Sequence, residues 1–272
     1  MKISIITPTF DSEETISENV KSVIEQSYKE FEHIIIDNKS SDNTISIIKK
    51  LYEGKEDQLK LISEKDEGIA DAFNKGILNA VGNIITILNS DDHYYDGNVF
   101  NDVIEKFLDE KIFFVHGDIY ARDPIYGSVI KYPYMSKVET GMPYNHPTMF
   151  FRKEVYETIG LFDISFKYAM DFELICRFEN KFGNLNKKGY YLKSRPLVVM
   201  EYGGTSWKNA EASLKETEKA LKKNKLWSWK AFIMLKYRIL KTKTKQMLVK
   251  FGLEKAVKTF REKKWKTDHP RI

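Results

Sequence analysis

Residues 83–92 read N-I-I-T-I-L-N-S-D-D. Ile84, Ile85, Ile87 and Leu88 form an almost unbroken apolar run rich in β-branched residues, the composition of a strand buried on both faces of a parallel sheet. The run stops at Asn89-Ser90-Asp91-Asp92, and Asp96-Gly97 gives a turn signal soon after. Two adjacent carboxylates are thereby expected just beyond the carboxyl end of a core strand, the edge where open α/β sheets bind ligands. Neighbouring carboxylates repel, and a hard divalent cation such as Mg²⁺ or Mn²⁺ relieves that repulsion, commonly together with substrate phosphates. Taken alone, the pair reads sooner as a solvated acidic turn capping the next helix, and the rest of the chain has to change that.

The pattern repeats on the amino-terminal side. Lys2–Thr7 reads as a buried strand closed by Pro8, and Asp11 with Glu14 resembles a capping box ahead of Ile16, Val20, Val23 and Ile24 on one helix face. A second strand, Glu32–Asp37, ends in the polar burst 37–44, followed by a helix through Ile47, Ile48 and Leu51. Leu59–Ile62 is a third strand, Gly68–Ala80 a helix and Asn83–Leu88 the fourth strand. Four β/α alternations in a hundred residues predict an α/β fold, a doubly wound, mostly parallel sheet with right-handed crossovers. Its strand ends collect Thr7, Thr9, Asp37, Lys65, Asp66, Asp91 and Asp92 on one edge. Asp71 and Asn74 share a face of the helix after Gly68. Neither G-x-G-x-x-G nor a P-loop is present.

Beyond residue 98 the alternation fades. A helix through Val99, Val103 and Phe107 leads to a strand at Ile112–Val115 that ends at His116-Gly117-Asp118. Residues 120–147 read as loops with short antiparallel strands. A strand at Thr148–Phe151, a helix at Arg152–Ile159, a helix at 170–182 and a short strand at Leu197–Met200 follow, then a flexible loop at 202–206. Asp171 and Glu173 fall in the first turn of the 170–182 helix, where the macrodipole alone would favour a carboxylate.

The 272-residue chain carries a net charge of +5, which hides a division. Residues 1–206 have a surplus of nine acidic groups, and residues 207–272 hold 20 basic against 6 acidic side chains. A basic helical extension of this kind points either to an anionic partner, such as a membrane surface or nucleic acid, or to apolar helix faces packed on the catalytic domain with the lysines facing water. Leu253, Ala256, Val257 and Phe260 have amphipathic spacing, and Trp227, Trp229, Phe232, Tyr237 and Trp265 supply interfacial aromatics. No zinc-ligand or RNA-binding motif supports a nucleic-acid partner. The single cysteine, Cys176, forbids an internal disulfide and fits a reducing compartment. Neither a transmembrane run nor a signal peptide is read, so the expected location is cytoplasmic, with peripheral contact to the inner membrane face.

Four segments in this order resemble the family 2 glycosyltransferases, inverting nucleotide-sugar enzymes of the GT-A fold: I-S-I-I-T-P-T-F at 3–10, the stretch from Ser22 to Thr44, E-K-D-E-G-I-A-D-A-F-N-K-G-I-L-N-A-V-G at 64–82, and I-L-N-S-D-D at 87–92 in place of the D-x-D signature. Residues 146–156 and 169–174 are similar to the acceptor half. The resemblance implies a domain over 1–206, with a nucleotide-binding half (1–97) and an acceptor half (98–206), followed by the extension 207–272. It implies that Thr7, Pro8, Thr9, Asp37, Asp66, Asp71 and Ser90 hold a uridine diphosphate, that Asp91 meets Mn²⁺ or Mg²⁺, and that Asp171 is the catalytic base. Asp92, His146 and Glu173 are candidates for the acceptor or donor-sugar site. The activity it implies is transfer of one hexose or N-acetylhexosamine to a saccharide or lipid-linked saccharide acceptor in surface polysaccharide synthesis. Asn89 replaces the first Asp of the signature, and Lys39 stands where the family often has Gly. Two other readings are a non-catalytic sugar-nucleotide binding module and a sugar-1-phosphate nucleotidyltransferase. The latter would need a Gly-rich, Arg-containing loop where this chain has T-P-T-F-D-S.

Overall fold

The computed structural model describes residues 1–122, 128–201, 209–252 and 259. Nine strands among them form one mixed sheet. Four parallel strands build its first half: β1 (Ile3–Thr9), β2 (Phe31–Asp37), β3 (Leu59–Ser63) and β4 (Ile84–Ile87). Every residue of β1, β2 and β4 is buried, because helices cover both faces, which is why their sequences are continuous apolar runs rather than alternating ones. On one face lie α1 (Ile16–Ile24) and α2 (Thr44–Leu51), joined to Ile35 through Ile16, Val20, Ile48 and Tyr52. On the other lies α3 (Ile69–Asn79), so close to β1 that a Cβ on Gly76 would stand 2.3 Å from Ile6 Cγ2.

The second half departs from parallel pairing. Short β5 (Asp92–Tyr94) leads through α4 (Val99–Lys106) to β6 (Phe114–Arg122), β7 (Val129–Lys131), β8 (Phe150–Arg152), α5 (Lys153–Ile159), α6 (Met170–Phe182) and β9 (Gly189–Glu201). The sheet runs β3-β2-β1-β4-β8-β6-β9-β5, with β7 beside β6; β8, β5 and β7 are antiparallel to their neighbours.

Several expectations shift here. His116, Gly117 and Asp118 lie inside β6 rather than at its end. The register slips between Gly117 and Ile119 opposite Pro196, a residue that cannot donate to a ladder and is tolerated at such a bulge. The same Lys-Ser-Arg-Pro run (193–196) made β9 look like four residues when it has thirteen. Asp118 is buried beside that bulge; the Tyr191 hydroxyl donates to it at 2.6 Å, and burial pushes its pKa up to about 6. Residues 146–148 turn as a 3-10 helix, so the strand expected from Thr148 begins at Phe150. No capping box forms either. Asp11 adopts φ +43°, and its carboxylate accepts from Ser41 N (2.8 Å), while Glu13 accepts from Asn43 N (3.0 Å). These two carboxylates tie the loop after β1 to the loop after β2 instead of capping α1.

The basic extension begins as part of the fold. Helix α7 (Ala210–Lys223) packs on α6 through Leu214, Thr217, Ala220 and Leu221, and α8 (Trp229–Lys250) buries Ala231 and Leu235. The amphipathic set Leu253, Ala256, Val257 and Phe260, together with Trp265, lies outside the described residues, as does the loop 202–206.

A buried hydrogen-bond chain crosses the α1/α2 face. Thr7 Oγ1 meets His33 Nε2 at 2.8 Å, and His33 Nδ1 meets the Tyr52 hydroxyl at 2.7 Å. Burial pushes the His33 imidazole down to about 3. The folded protein therefore leaves His33 neutral at pH values where an unfolded imidazole, ordinarily near 6.5, has taken a proton. The unfolded chain binds more protons between those values, so this group removes stability as pH falls from about 6.5 toward 3. Asp92 and Asp118, whose carboxyls are raised, act in the opposite sense. Comparison with His33→Gln, which keeps a donor and an acceptor, isolates the histidine. The wild type should lose up to about 1.4 kcal/mol more per pH unit between pH 6 and 4. Parallel urea-denaturation curves of the two proteins across that range would refute the assignment.

Candidate active site

The carboxyl ends of β1 to β4 lie on one edge because the four strands are parallel. At the end of β2, Asp37 is fully buried and accepts from the Ser40 and Ser63 hydroxyls and from Ser40 N. The tight loop after it depends on Lys39 at φ +58°, the left-handed conformation for which Gly is the default. Lys39 thus keeps the backbone path that a glycine would give. Asn38 Oδ1 accepts from Asp66 N (3.0 Å), and Asp66 accepts from Gly68 N (2.9 Å) at the start of α3. Burial, more than the nearby Asp71 and Asp37 charges, pushes the Asp66 carboxyl up. Asp71 pairs with Lys75 at 3.4 Å and accepts from Glu67 N. Asp37, Asp66 and Asp71 therefore form one acidic group with Lys75 as its counter-charge.

At the end of β4, Ser90 Oγ lies 3.0 Å from Ser12 Oγ. Asn19 from α1 donates to the carbonyls of Asn89 (2.8 Å) and Asp92 (2.9 Å), which fixes the turn. Asp91 is half-buried; burial first, and the Glu201 charge to a lesser degree, push its carboxyl up. Asp92 corrects the sequence reading. It begins β5, is 2% exposed, and accepts from Asn89 Nδ2 (3.2 Å), so it faces inward and cannot touch an acceptor sugar. Burial and the Asp91 charge hold its carboxyl well above the ordinary range. The Thr7 hydroxyl bonds to His33, which leaves the Thr7 backbone, with Pro8 and Thr9, at the β1 end.

The oxygens Thr9 Oγ1, Asn19 Oδ1, Asn89 Oδ1 and Asp92 Oδ1 are all buried without a hydrogen-bond partner in the protein. Buried polar atoms are rarely left so, and three of these four lie at or against the Asn89–Asp92 turn, which makes that turn a candidate binding site. The group is hard-oxygen chemistry, and with the Asp91 carboxylate it fits a divalent cation. Among the described residues no three His, Cys, Asp or Glu side chains form a ready-made metal cluster.

The acceptor half is joined to this edge by Asn74, which donates to Phe162 O (2.9 Å) and accepts from Phe162 N (2.8 Å). His146 is half-buried against the rings of Phe73 (6.0 Å) and Phe162 (6.3 Å). Burial lowers its pKa, and the nearby Asp171 charge partly offsets that, so the ring is neutral at pH 7. Asp171 lies in the first turn of α6, whose approach is clamped from α7: the Glu216 carboxylate accepts from the N–H groups of Lys167, Tyr168 and Ala169 at 2.7–3.1 Å. Glu173, two residues on, is turned away. It is 0% exposed, one oxygen accepts from Arg177 Nε (2.9 Å), and the other from Lys223 Nζ (3.1 Å). Its oxygens are committed to Arg177 within α6 and to Lys223 on α7, which removes it as a sugar-site candidate.

Of the supporting residues, Asn19 had a signal in the sequence, as the polar member of an apolar helix face at 16, 19, 20 and 23. Ser40 stood in the polar burst. Ser12, Ser63, Glu201 and Glu216 carried none, since each acts through a contact distant in sequence.

The sequence profile of Glycosyl transferase family 2 matches residues 4–175, more than half of the chain. Among curated relatives, the chain is 35% identical over 117 residues to UDP-Glc:alpha-D-GlcNAc-diphosphoundecaprenol beta-1,3-glucosyltransferase of Escherichia coli, covering 43% of this chain and 45% of that one. The chain spans between 18% and 58% of the length of such relatives. Among solved structures it is similar to S. aureus TarS in complex with UDP, with a TM-score of 0.62 and 21% identity over 81% of this chain and 65% of that one. It is also similar to the mannosyltransferase PcManGT of Pyrobaculum calidifontis in complex with GDP-Man and Mn²⁺, with a TM-score of 0.64 and 16% identity over 94% and 80%. These likenesses establish the GT-A fold, with its mixed, mostly parallel sheet. With the profile match across both halves of the site, the chain belongs to glycosyl transferase family 2.

Proposed function

We propose that the protein is an inverting glycosyltransferase that moves one sugar from a uridine-diphosphate sugar to a saccharide or lipid-linked saccharide acceptor at the cytoplasmic membrane face. The observation that carries this reading is the alignment of Asp37, Asp66, Asp71 and Asp91 along one strand edge in a family 2 member, with unpartnered oxygens gathered at the Asn89–Asp92 turn. A UDP complex of one structural neighbour and a Mn²⁺ complex of another support the donor and the ion.

In this reading Asp37, Asp66 and Asp71, with the backbone of Thr7–Thr9, receive the base and ribose, and Ser90 lies by the diphosphate. Asp91, with Asn89 as a neutral neighbour, would hold Mn²⁺ or Mg²⁺. Such an ion, when bound, acts as a Lewis acid toward the diphosphate leaving group. The acceptor hydroxyl attacks the anomeric carbon from the face opposite the diphosphate, and Asp171 takes its proton. The bond from the anomeric carbon to the phosphate oxygen breaks, and the departing nucleoside diphosphate keeps the electron pair. One displacement inverts the configuration. His146, neutral and held between two aromatic rings, lines the acceptor side next to Asp171.

A donor panel tests this. UDP-glucose, UDP-N-acetylhexosamines and GDP-mannose are scored for nucleotide release with Mn²⁺ and with excess chelator. Release should favour a uridine donor, stop on chelation and return on adding Mn²⁺, and Asp91→Asn should need far more metal for the same rate. Full activity in chelator, or full activity of Asp91→Asn without added metal, would sink the metal assignment. Saturable UDP binding with no turnover of any donor or acceptor would instead favour a non-catalytic binding module.

A further inference from the structure

We infer that the solvent face of α8 is a docking surface for an anionic lipid bilayer. Trp229, Ile233, Tyr237, Leu240, Met247 and Phe251 are each between 48% and 75% exposed. Their spacing, completed by exposed Thr244, advances by three or four residues at each step, so they form one stripe along the helix. Large apolar side chains in a continuous exposed band mark an interaction surface rather than ordinary surface.

The charges choose the partner. At about 100° per residue, Lys230 and Lys241 flank the stripe on one side and Lys236 and Lys243 on the other, each about 50–90° from its centre. All four are exposed. Residues 229–252 contain seven Lys or Arg and no Asp or Glu. A second copy of the chain on this stripe would bring like charges together along its whole length. An anionic headgroup layer supplies the opposite charge on both flanks while its acyl region takes the apolar stripe. The opposite side of α8 is held down by buried Ala231 and Leu235, so the stripe is presented outward from a rigid base. No helix among the described residues is long and apolar enough to cross a membrane, and the surface fits a helix lying on one. The helix packs next to the 138–140 turn, and Arg238 lies against Gly141, in the segment that leads to His146. The inference names the membrane contact of the proposed function and rests on that reading only for the identity of the acceptor.

The test uses the full chain with vesicles of phosphatidylcholine, with or without a third phosphatidylglycerol. The protein should co-sediment with the anionic vesicles alone and come off as salt is raised. Leu240→Glu/Met247→Glu should lower the partition roughly tenfold or more, because it removes inserted side chains and adds repelled ones. Lys236→Glu/Lys243→Glu should do the same. Both pairs are solvent-exposed, so melting temperature and nucleotide release from a soluble donor should not change. The inference is overturned if the wild type ignores anionic vesicles at low salt. It is equally overturned if the Leu240/Met247 variant binds undiminished, which means the lysines alone adhere, or if sedimentation shows a dimer that this variant dissociates. Absence of donor turnover would refute the proposed function while leaving the vesicle result standing.

Discussion

Asp171→Asn should lower turnover by about 10²–10⁴ while leaving UDP affinity and melting temperature nearly unchanged, because a positioned general base contributes about that much to rate. The substitution keeps the volume and the acceptor that receives the Phe172 N–H at 2.7 Å, and removes only the capacity to take a proton. The helix start does not depend on Asp171, since Glu216 already satisfies three N–H groups ahead of it. Single-turnover kinetics with a saturating uridine donor, beside UDP binding by calorimetry, separate the two quantities. A loss of UDP affinity equal to the loss of rate would make Asp171 a binding group, and unchanged turnover would leave it a helix-terminal carboxylate favoured by the macrodipole.

The carboxylate two residues along should behave in the opposite way. Glu173→Ala should destabilise the fold by about 3 kcal/mol, the low end for breaking a buried ion pair, since Lys223 is partly exposed and can turn to water. Arg177 cannot relax as easily. It is also bound to the carbonyls of Ile159, Gly160 and Leu161, and it would be left with a part-buried charge that has lost its carboxylate partner. In a chain of this size the loss corresponds to a fall in melting temperature on the order of 6–12 °C. Donor turnover at a temperature where the variant is folded should stay within a few-fold of the wild type. A variant that melts within about 2 °C of the wild type yet loses its activity would return Glu173 to the sugar site.

The contrast between these neighbours shows what a linear reading can and cannot reach. The β/α order of the first half, the buried parallel strands and the common edge of Pro8, Thr9, Asp37, Asp66 and Asp91 follow from local pattern. A strand covered on both faces must be apolar throughout, and parallel strands must share their carboxyl ends. Membership in family 2 was equally legible, because its motifs lie within single segments of that half. Direction and partner were not legible. Asp91 and Asp92 are adjacent and chemically identical, yet one is half-exposed and the other starts β5 and turns inward. Asp171 and Glu173 share a helical turn, but Arg177 on the same helix and Lys223 on α7, fifty residues later, take up both oxygens of Glu173. The Thr7 hydroxyl is taken up by His33 across the sheet, and the length of β9 is hidden by a proline that a bulge in β9 itself accommodates. Sequence determined which groups reach the strand edge, because that depends on local periodicity. Tertiary structure decided which of them remain free to react, because burial and pairing depend on residues brought together from far along the chain.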